Sequence, residues 1–280
     1  IRPQAIINVQ PSITGRYPAK GVYKILKAGI PVIDEVGVQI FTQIRDGSLI
    51  EKQGNKVFSA KRLVAEGKVL TLEAVKRKLQ EANQNAQVEL DNFVDNTLEY
   101  AKKEKDILLG NLEVPYLKTH ILNRHVLIVV RGSSYKEDLK TISSYIEEER
   151  PVLIGVDGGA DALLEFGLKP DIIVGDMDSV SDTALRSGAE IVVHAYANGK
   201  APGLERVQSM NLEATVCPMP GTSEDLAMIL AWEYGASLIV AVGTHSNMID
   251  FLEKGRKGMG STFLVRLKVG SILVDARGVS

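Results

Sequence analysis

The sequence predicts an α/β protein: a mainly parallel, doubly wound sheet, preceded by a small α/β domain and a long linking helix. Three observations carry this. From residue 125 onward, near-continuous aliphatic runs alternate with helical patterns, the mark of strands buried on both faces. Residues 71–107 contain neither Gly nor Pro. Residues 1–70 instead mix short strand, helix and hairpin signals.

Taken in order, "AIINV" reads as a short buried strand and "PAKGVYKILKAG" as a helix stopped by Gly29. "IPVI" is a second strand, and "GSLIEKQGNKVF" is a hairpin turning near Gly54-Asn55. Residues 1–70 thus form a small α/β domain. Residues 71–107 form one helix, with Thr71 as a partial N-cap and a length of about 54 Å. Its apolar stripe runs Leu72, Val75, Leu79, Ala82, Ala86, then slips to Leu90, Val94 and Leu98. The helix either braces the two domains or joins a second copy in a homodimer. Residues 120–280 form the main domain. Its strands are "HVLIVV", "PVLIGV", "DIIVG", "AEIVVHA", "ATVCP" and "ASLIVAV". Its helices include "KEDLKTISSYIEEE", "GADALLEFG" and "TSEDLAMILAWEYG".

The 280 residues are 45% hydrophobic, enough for real cores in two ordinary domains. A net charge of −2 provides no field for nucleic acid or an anionic membrane. The single Cys217 excludes an internal disulfide, and four scattered His give no zinc site. No apolar run reaches eighteen residues. The expected location is cytoplasmic. The chain opens on Ile1 without a signal-peptide pattern, as a piece of a longer protein would. Missing flanks would then carry any membrane anchor or division-apparatus contact.

One stretch stands out. "GVDGGADALLEFGLKPDIIVGDMDSVSD", residues 155–182, holds Asp157, Asp161, Asp171, Asp176, Asp178 and Asp182. Asp157 follows one predicted strand, and Asp176 and Asp178 follow another, so both sets fall on the carboxyl edge where open α/β sheets bind ligands. Gly158 and Gly159 allow close backbone approach, and a helix start follows. Carboxylates beside an anion-binding helix start suit Mg²⁺ shared with substrate phosphates. Plainer readings stand beside this one. Asp157 is also a potential N-cap, Asp161 a first-turn carboxylate, Asp171 a turn residue and Asp182 a helix cap after Ser181.

The string "DGGADALLEFGLKPDIIVGDMDSVS" resembles the nucleotide-binding segment of thiamine pyrophosphokinases. That family transfers diphosphate from Mg-ATP to thiamine. The resemblance covers about residues 125–255 and implies metal and catalytic roles for Asp157, Asp176 and Asp178, with Ser179 on phosphate. The family's next acidic motif is here "PGTSEDLAM", with only Asp225 in register, and its Gly-Gly-Arg-x-Asp-His is here "VGTHSN". Thr222 and Asp225 also read as a capping-box pair. His245 stands near the family's His. The further phosphate-binding candidates are Arg131, Gly132, Gly158, Gly159, Thr222, Ser223, Asp225, Gly243, Thr244 and the basic loop residues Arg256 and Lys257.

Longer strings extend the likeness. "PSITGRYPAKGVYKILKAGIPVIDEVG", "RGSSYKEDL", "HAYANGKAPGLERV" and "EKGRKGMGSTFLVRLKVG" resemble the SteA-type family of cytokinetic-ring proteins. The resemblance implies a Mg-nucleotide or diphosphate-binding protein with a role in cell division. The alternative is an active pyrophosphokinase acting on thiamine or another hydroxyl acceptor. Residues 1–70 also resemble the swivelling phosphohistidine domain in fold, but no His precedes His120, which excludes that chemistry. The implied cofactors are Mg²⁺ and ATP or another nucleotide.

Overall fold

A computed structural model gives the fold and describes residues 3–15, 18–110, 114–132, 134–245, 251–252 and 258–279. The chain divides into two compact units, Ile1–Val94 and Asp95–Ser280.

The first unit runs β1 (Ile6–Ile7), α1 (Gly21–Lys27), β2 (Val32–Asp34), α2 (Ile40–Gln43), β3 (Ile50–Gln53), β4 (Lys56–Ser59), β5 (Arg62–Glu66), β6 (Lys68–Val69) and most of α3 (Leu72–Lys103). β1 lies parallel to β2, and β6 joins β2 antiparallel. β3, β4 and β5 form a separate antiparallel sheet. The expected hairpin is β3–β4: Gln53 pairs with Lys56 across a two-residue turn in which Gly54 takes φ +61°. Thr71 caps α3 as expected, its Oγ1 accepting the Ala74 N–H at 3.2 Å. Val75 is buried against Ile13, Val22 and Val32. Further along, Val88, Val94 and Leu98 are 60%, 50% and 51% exposed. The helix ends at Lys103 rather than 107, and the boundary between the units falls inside it.

The second unit continues with α4 (Asp106–Leu109), β7 (His125–Val129), α5 (Tyr135–Thr141), α6 (Ser143–Glu149), β8 (Val152–Val156), α7 (Gly159–Glu165), β9 (Ile172–Gly175) and α8 (Asp182–Leu185). Then come β10 (Glu190–Ala195), α9 (Pro202–Ser209), β11 (Thr215–Pro218), α10 (Ser223–Glu233), β12 (Leu238–Val242), α11 (Gly260–Val269) and β13 (Leu273–Asp275). Seven strands form one sheet in the order β11-β10-β9-β8-β7-β12-β13, every neighbouring pair parallel.

Successive residues of a strand face opposite sides. Along β7, Val126 and Ile128 enter a core with Leu226, Ile229 and Leu230 of α10. Leu127 and Val129 enter another with Leu139, Ala162 and Leu163. Each such side chain contributes about 1.5–3 kcal/mol by burial, which is why the middle of β7 is apolar at successive positions. The chain winds outward from β7 to β11, then returns to the other side of β7 with β12. The switch point therefore lies between β7 and β12. Among the described residues, no helix is long and apolar enough to cross a membrane.

Candidate functional site

The loops following β7, β8, β9, β11 and β12 meet beyond the carboxyl edge of the sheet, at the switch point. They enclose a cavity of about 450 Å³. The β7 loop gives it Arg131, the β8 loop Asp157 and Gly158, and the β9 loop Asp176 and Ser179. Thr222, Ser223 and Glu224 come from the start of α10, and His245 from the end of β12. A larger depression of about 1020 Å³ lies at the opposite strand edge, around Pro170, Glu190 and Thr215. Its one member of the acidic stretch, Asp171, is used internally: its Oδ2 accepts the Leu153 N–H at 2.8 Å.

Asp157 holds φ +47° and Met177 φ +67°, left-handed values that cost free energy for residues with a Cβ. The twist turns the Asp157 carboxylate over the β9 loop, where Oδ1 accepts the Met177 N–H at 3.1 Å. Gly175 makes the space, because a Cβ there would strike that carboxylate. Burial pushes the Asp157 carboxyl up to about 7, and the charge of Asp176 adds to the effect. The site thus holds carboxylates that a cation would relieve. Mg²⁺ commonly takes one or two carboxylates plus substrate phosphates, and the Asp157–Asp176 pair fits that donor set. Among the described residues, no three His, Cys, Asp or Glu side chains form a ready-made cage.

The remaining predicted residues divide by placement. Arg131, Asp157, Gly158, Asp176, Ser179, Thr222 and Ser223 line the cavity together. Asp178 is exposed beside it, its N–H donating to Asp176 Oδ1 at 3.0 Å. Gly132 and Gly243 serve close packing of the β7 and β12 loops, since a Cβ on Gly132 would meet the Gly243 carbonyl. Gly159 packs likewise on the Val129 carbonyl. Thr244 is buried, donating to Asp275 Oδ1 at 3.2 Å. Asp225 closes the capping box with Thr222 and lines a neighbouring cavity instead. Asp161 accepts from the Ser181 N–H at 2.9 Å and from its hydroxyl, fixing the acidic loop. Ser181, not Asp182, caps α8, and Asp182 pairs with Arg206 at 2.6 Å. Arg256 and Lys257 lie outside the described residues.

Sequence reasoning missed Glu224, which reads as an ordinary first-turn acid. Its Oε2 accepts the His245 N–H at 2.8 Å and its Oε1 lies 2.6 Å from His245 Nδ1. A carboxylate only accepts, so Nδ1 carries a proton, and Nε2 is the ring nitrogen that would exchange one. His194 was missed too. Its Nε2 lies 2.8 Å from the Met219 carbonyl and must donate, which leaves Nδ1 to accept from Ser223 Oγ at 3.2 Å. Burial lowers its pKa and favours that neutral form.

Comparison with known proteins bears on this edge. Residues 143–197, which carry Asp157, Asp176 and Asp178, match the model of the thiamin pyrophosphokinase catalytic domain. That part of the second unit is thiamin pyrophosphokinase-like. A 6-hydroxymethyl-7,8-dihydropterin pyrophosphokinase of Methanothermobacter thermautotrophicus is 34% identical over 126 residues, 40% of this chain and 53% of that protein. One from Methanocaldococcus jannaschii is 29% identical over 138 residues, 44% of this chain and 57% of that protein. The chain spans about half the length of these relatives. A solved thiamine pyrophosphokinase from Bacillus subtilis is 25% identical, with a TM-score of 0.30, covering 47% of this chain and 52% of that one.

Proposed function

We propose that the thiamin pyrophosphokinase-like unit binds a Mg-nucleotide in the switch-point cavity and transfers diphosphate from ATP to a hydroxyl acceptor. The acceptor oxygen attacks the β-phosphorus, the bond from that phosphorus to the α–β bridging oxygen breaks, and AMP leaves with that oxygen. The observation that carries the reading is Asp157 and Asp176 facing one cavity with Arg131. The two carboxylates would hold Mg²⁺, which would neutralise charge on the transferred group. Arg131 adds a fixed positive charge for phosphate oxygens. Glu224 holds His245 so that Nε2 takes the acceptor's proton.

The relatives' names point to a hydroxymethyl-bearing heterocycle as acceptor. Incubation with Mg-ATP and 6-hydroxymethyl-7,8-dihydropterin or thiamine, followed by chromatography for AMP, tests this. AMP and a diphosphate ester are expected with the pterin and not with thiamine. Absence of AMP with both acceptors refutes the transfer reading.

A second reading is a SteA-type division protein that binds nucleotide without turnover. One observation favours it: Asp225, in register with a kinase acidic motif, is used as a buried helix cap outside this cavity. Mg-ADP binding in calorimetry without AMP formation would single it out.

A further inference from the structure

We propose that Ser223 is a self-modification site: its hydroxyl takes a diphosphoryl group from ATP bound in the switch-point cavity, with His194 as the base. This rests on the transfer reading above and extends it from a small acceptor to a side chain of the protein itself.

The sheet brings the pair together. Side chains two apart on a strand share a face, so His194 of β10 points to the same side as Val192, which enters the core that α10 lines. β11 runs parallel beside β10, with His194 level with Cys217. Two residues further on, the Met219 carbonyl stands 2.8 Å from His194 Nε2. Gly221, at φ +102°, turns the chain toward α10. Ser223, the first residue of that helix, places its Oγ 3.2 Å from His194 Nδ1.

The partners fix the proton positions. A carbonyl only accepts, so Nε2 carries the ring proton. Burial lowers the pKa of His194 and keeps the ring neutral, which leaves a lone pair on Nδ1. The Ser223 hydroxyl therefore donates to Nδ1, and its own lone pairs stay available. A hydroxyl, an imidazole that accepts its proton, and a third group that orients the imidazole together make an activated serine. Because a carbonyl is uncharged, it stabilises the imidazolium less than a carboxylate would, so a slow step is expected.

Ser223 lines the cavity together with Arg131, Asp157 and Asp176, where the donor phosphates are placed. The adjacent hydroxyl, on Thr222, is committed to the Asp225 N–H at 3.1 Å. The cavity's other imidazole, His245, is held by Glu224 and stays available for a small acceptor. In the proposed step, Ser223 Oγ attacks the β-phosphorus of ATP and its proton passes to His194 Nδ1. The bond from that phosphorus to the α–β bridging oxygen breaks, and AMP leaves with that oxygen. The diphosphoryl group ends on Ser223 at the start of α10, where the helix dipole favours negative charge.

The test is incubation of the whole chain with Mg-ATP and no small acceptor, followed by intact-mass measurement, peptide mapping and chromatography for AMP. The expected result is the mass of a diphosphoryl group on the peptide that carries Ser223, with AMP released in equal amount. Ser223→Ala should lose both. His194→Gln retains an amide donor for the Met219 carbonyl but takes no proton from Ser223, and should slow labelling about a hundredfold. Mg-ADP calorimetry on both variants checks that the site is intact. The proposal is overturned by an unmodified wild type that binds Mg-ADP, by a gain of a single phosphoryl group, by a gain that survives Ser223→Ala, or by a rate indifferent to His194→Gln. If a small acceptor yields AMP while the chain alone stays unmodified, the transfer reading stands and this inference fails. If the chain neither binds Mg-ADP nor gains mass, both fail.

Discussion

Replacing Asp157 by Asn should stabilise the ligand-free protein, and only at neutral to alkaline pH. The carboxyl is pushed from an ordinary 3.8 up to about 7 by burial and by Asp176. At about 1.4 kcal/mol per pH unit, keeping it ionised at pH 8 costs on the order of 4 kcal/mol relative to the unfolded chain. The sign follows from the direction. A raised folded pKa favours the folded state below the unfolded pKa, and that advantage is lost as pH climbs from about 4 to about 7. Asparagine keeps an oxygen for the Met177 N–H but carries no charge. Because Asp176 is exposed and water reaches the site, about half of the full figure is the realistic gain, roughly 2 kcal/mol. In a protein this size that is a Tm rise of about 4–8 °C. Urea unfolding in EDTA, followed by Trp232 fluorescence at pH 4.5, 6 and 8, measures it. Trp232 is the only tryptophan and packs against the core of the second unit, so it reports that unit. The difference between the two proteins should be small at pH 4.5 and grow steadily to pH 8. A variant less stable than wild type at pH 8, or a difference that ignores pH, refutes the picture of a carboxylate held charged at a cost.

Other outcomes follow from the same geometry. Asp176→Asn combined with Asp178→Asn should abolish the thermal shift produced by Mg²⁺ plus ADP, since binding to the folded state alone raises Tm; an equal shift in the double variant counts against a metal–phosphate site. Gly175→Ala should cost about 1–3 kcal/mol by overpacking, because its Cβ strikes the Asp157 carboxylate, and should weaken Mg-ADP binding in calorimetry; an unchanged melting curve argues against that contact. Thr222→Ala removes the α10 cap and should cost about 1 kcal/mol in urea melts, a loss that Thr222→Ser should largely avoid. We further propose that the exposed Val88, Val94 and Leu98 of α3 mediate self-association. Light scattering should show a dimer that Val94→Glu with Leu98→Glu dissociates, and a monomeric wild type ends that idea.

Much of the fold was legible because local pattern reports burial directly. A parallel strand covered on both faces has few polar positions, so six largely apolar runs marked β7 to β12 without any knowledge of their neighbours. Thr71 and the Gly54-Asn55 turn were readable because a cap and a two-residue turn are each made within a few residues. β13 escaped because three residues, none fully buried, leave too little signal. β5 and β6, just past the hairpin string, were missed because one residue of β5 and none of β6 is buried. The acidic stretch announced a site, yet its aspartates could not be sorted from sequence. Asp161 and Asp171 turned out to hold the Ser181 and Leu153 N–H groups, while Asp157 and Asp176 face the cavity. An aspartate that accepts a distant N–H and one that faces a cavity have the same letter and similar neighbours. Only strand order separates them. The return of β12 beside β7 brings His245 toward Glu224 from 21 positions away, and the left-handed turn at Asp157 sets its carboxylate over Gly175. Those contacts are made across the sheet, where side chains meet because of the winding of the chain and not because of their spacing along it.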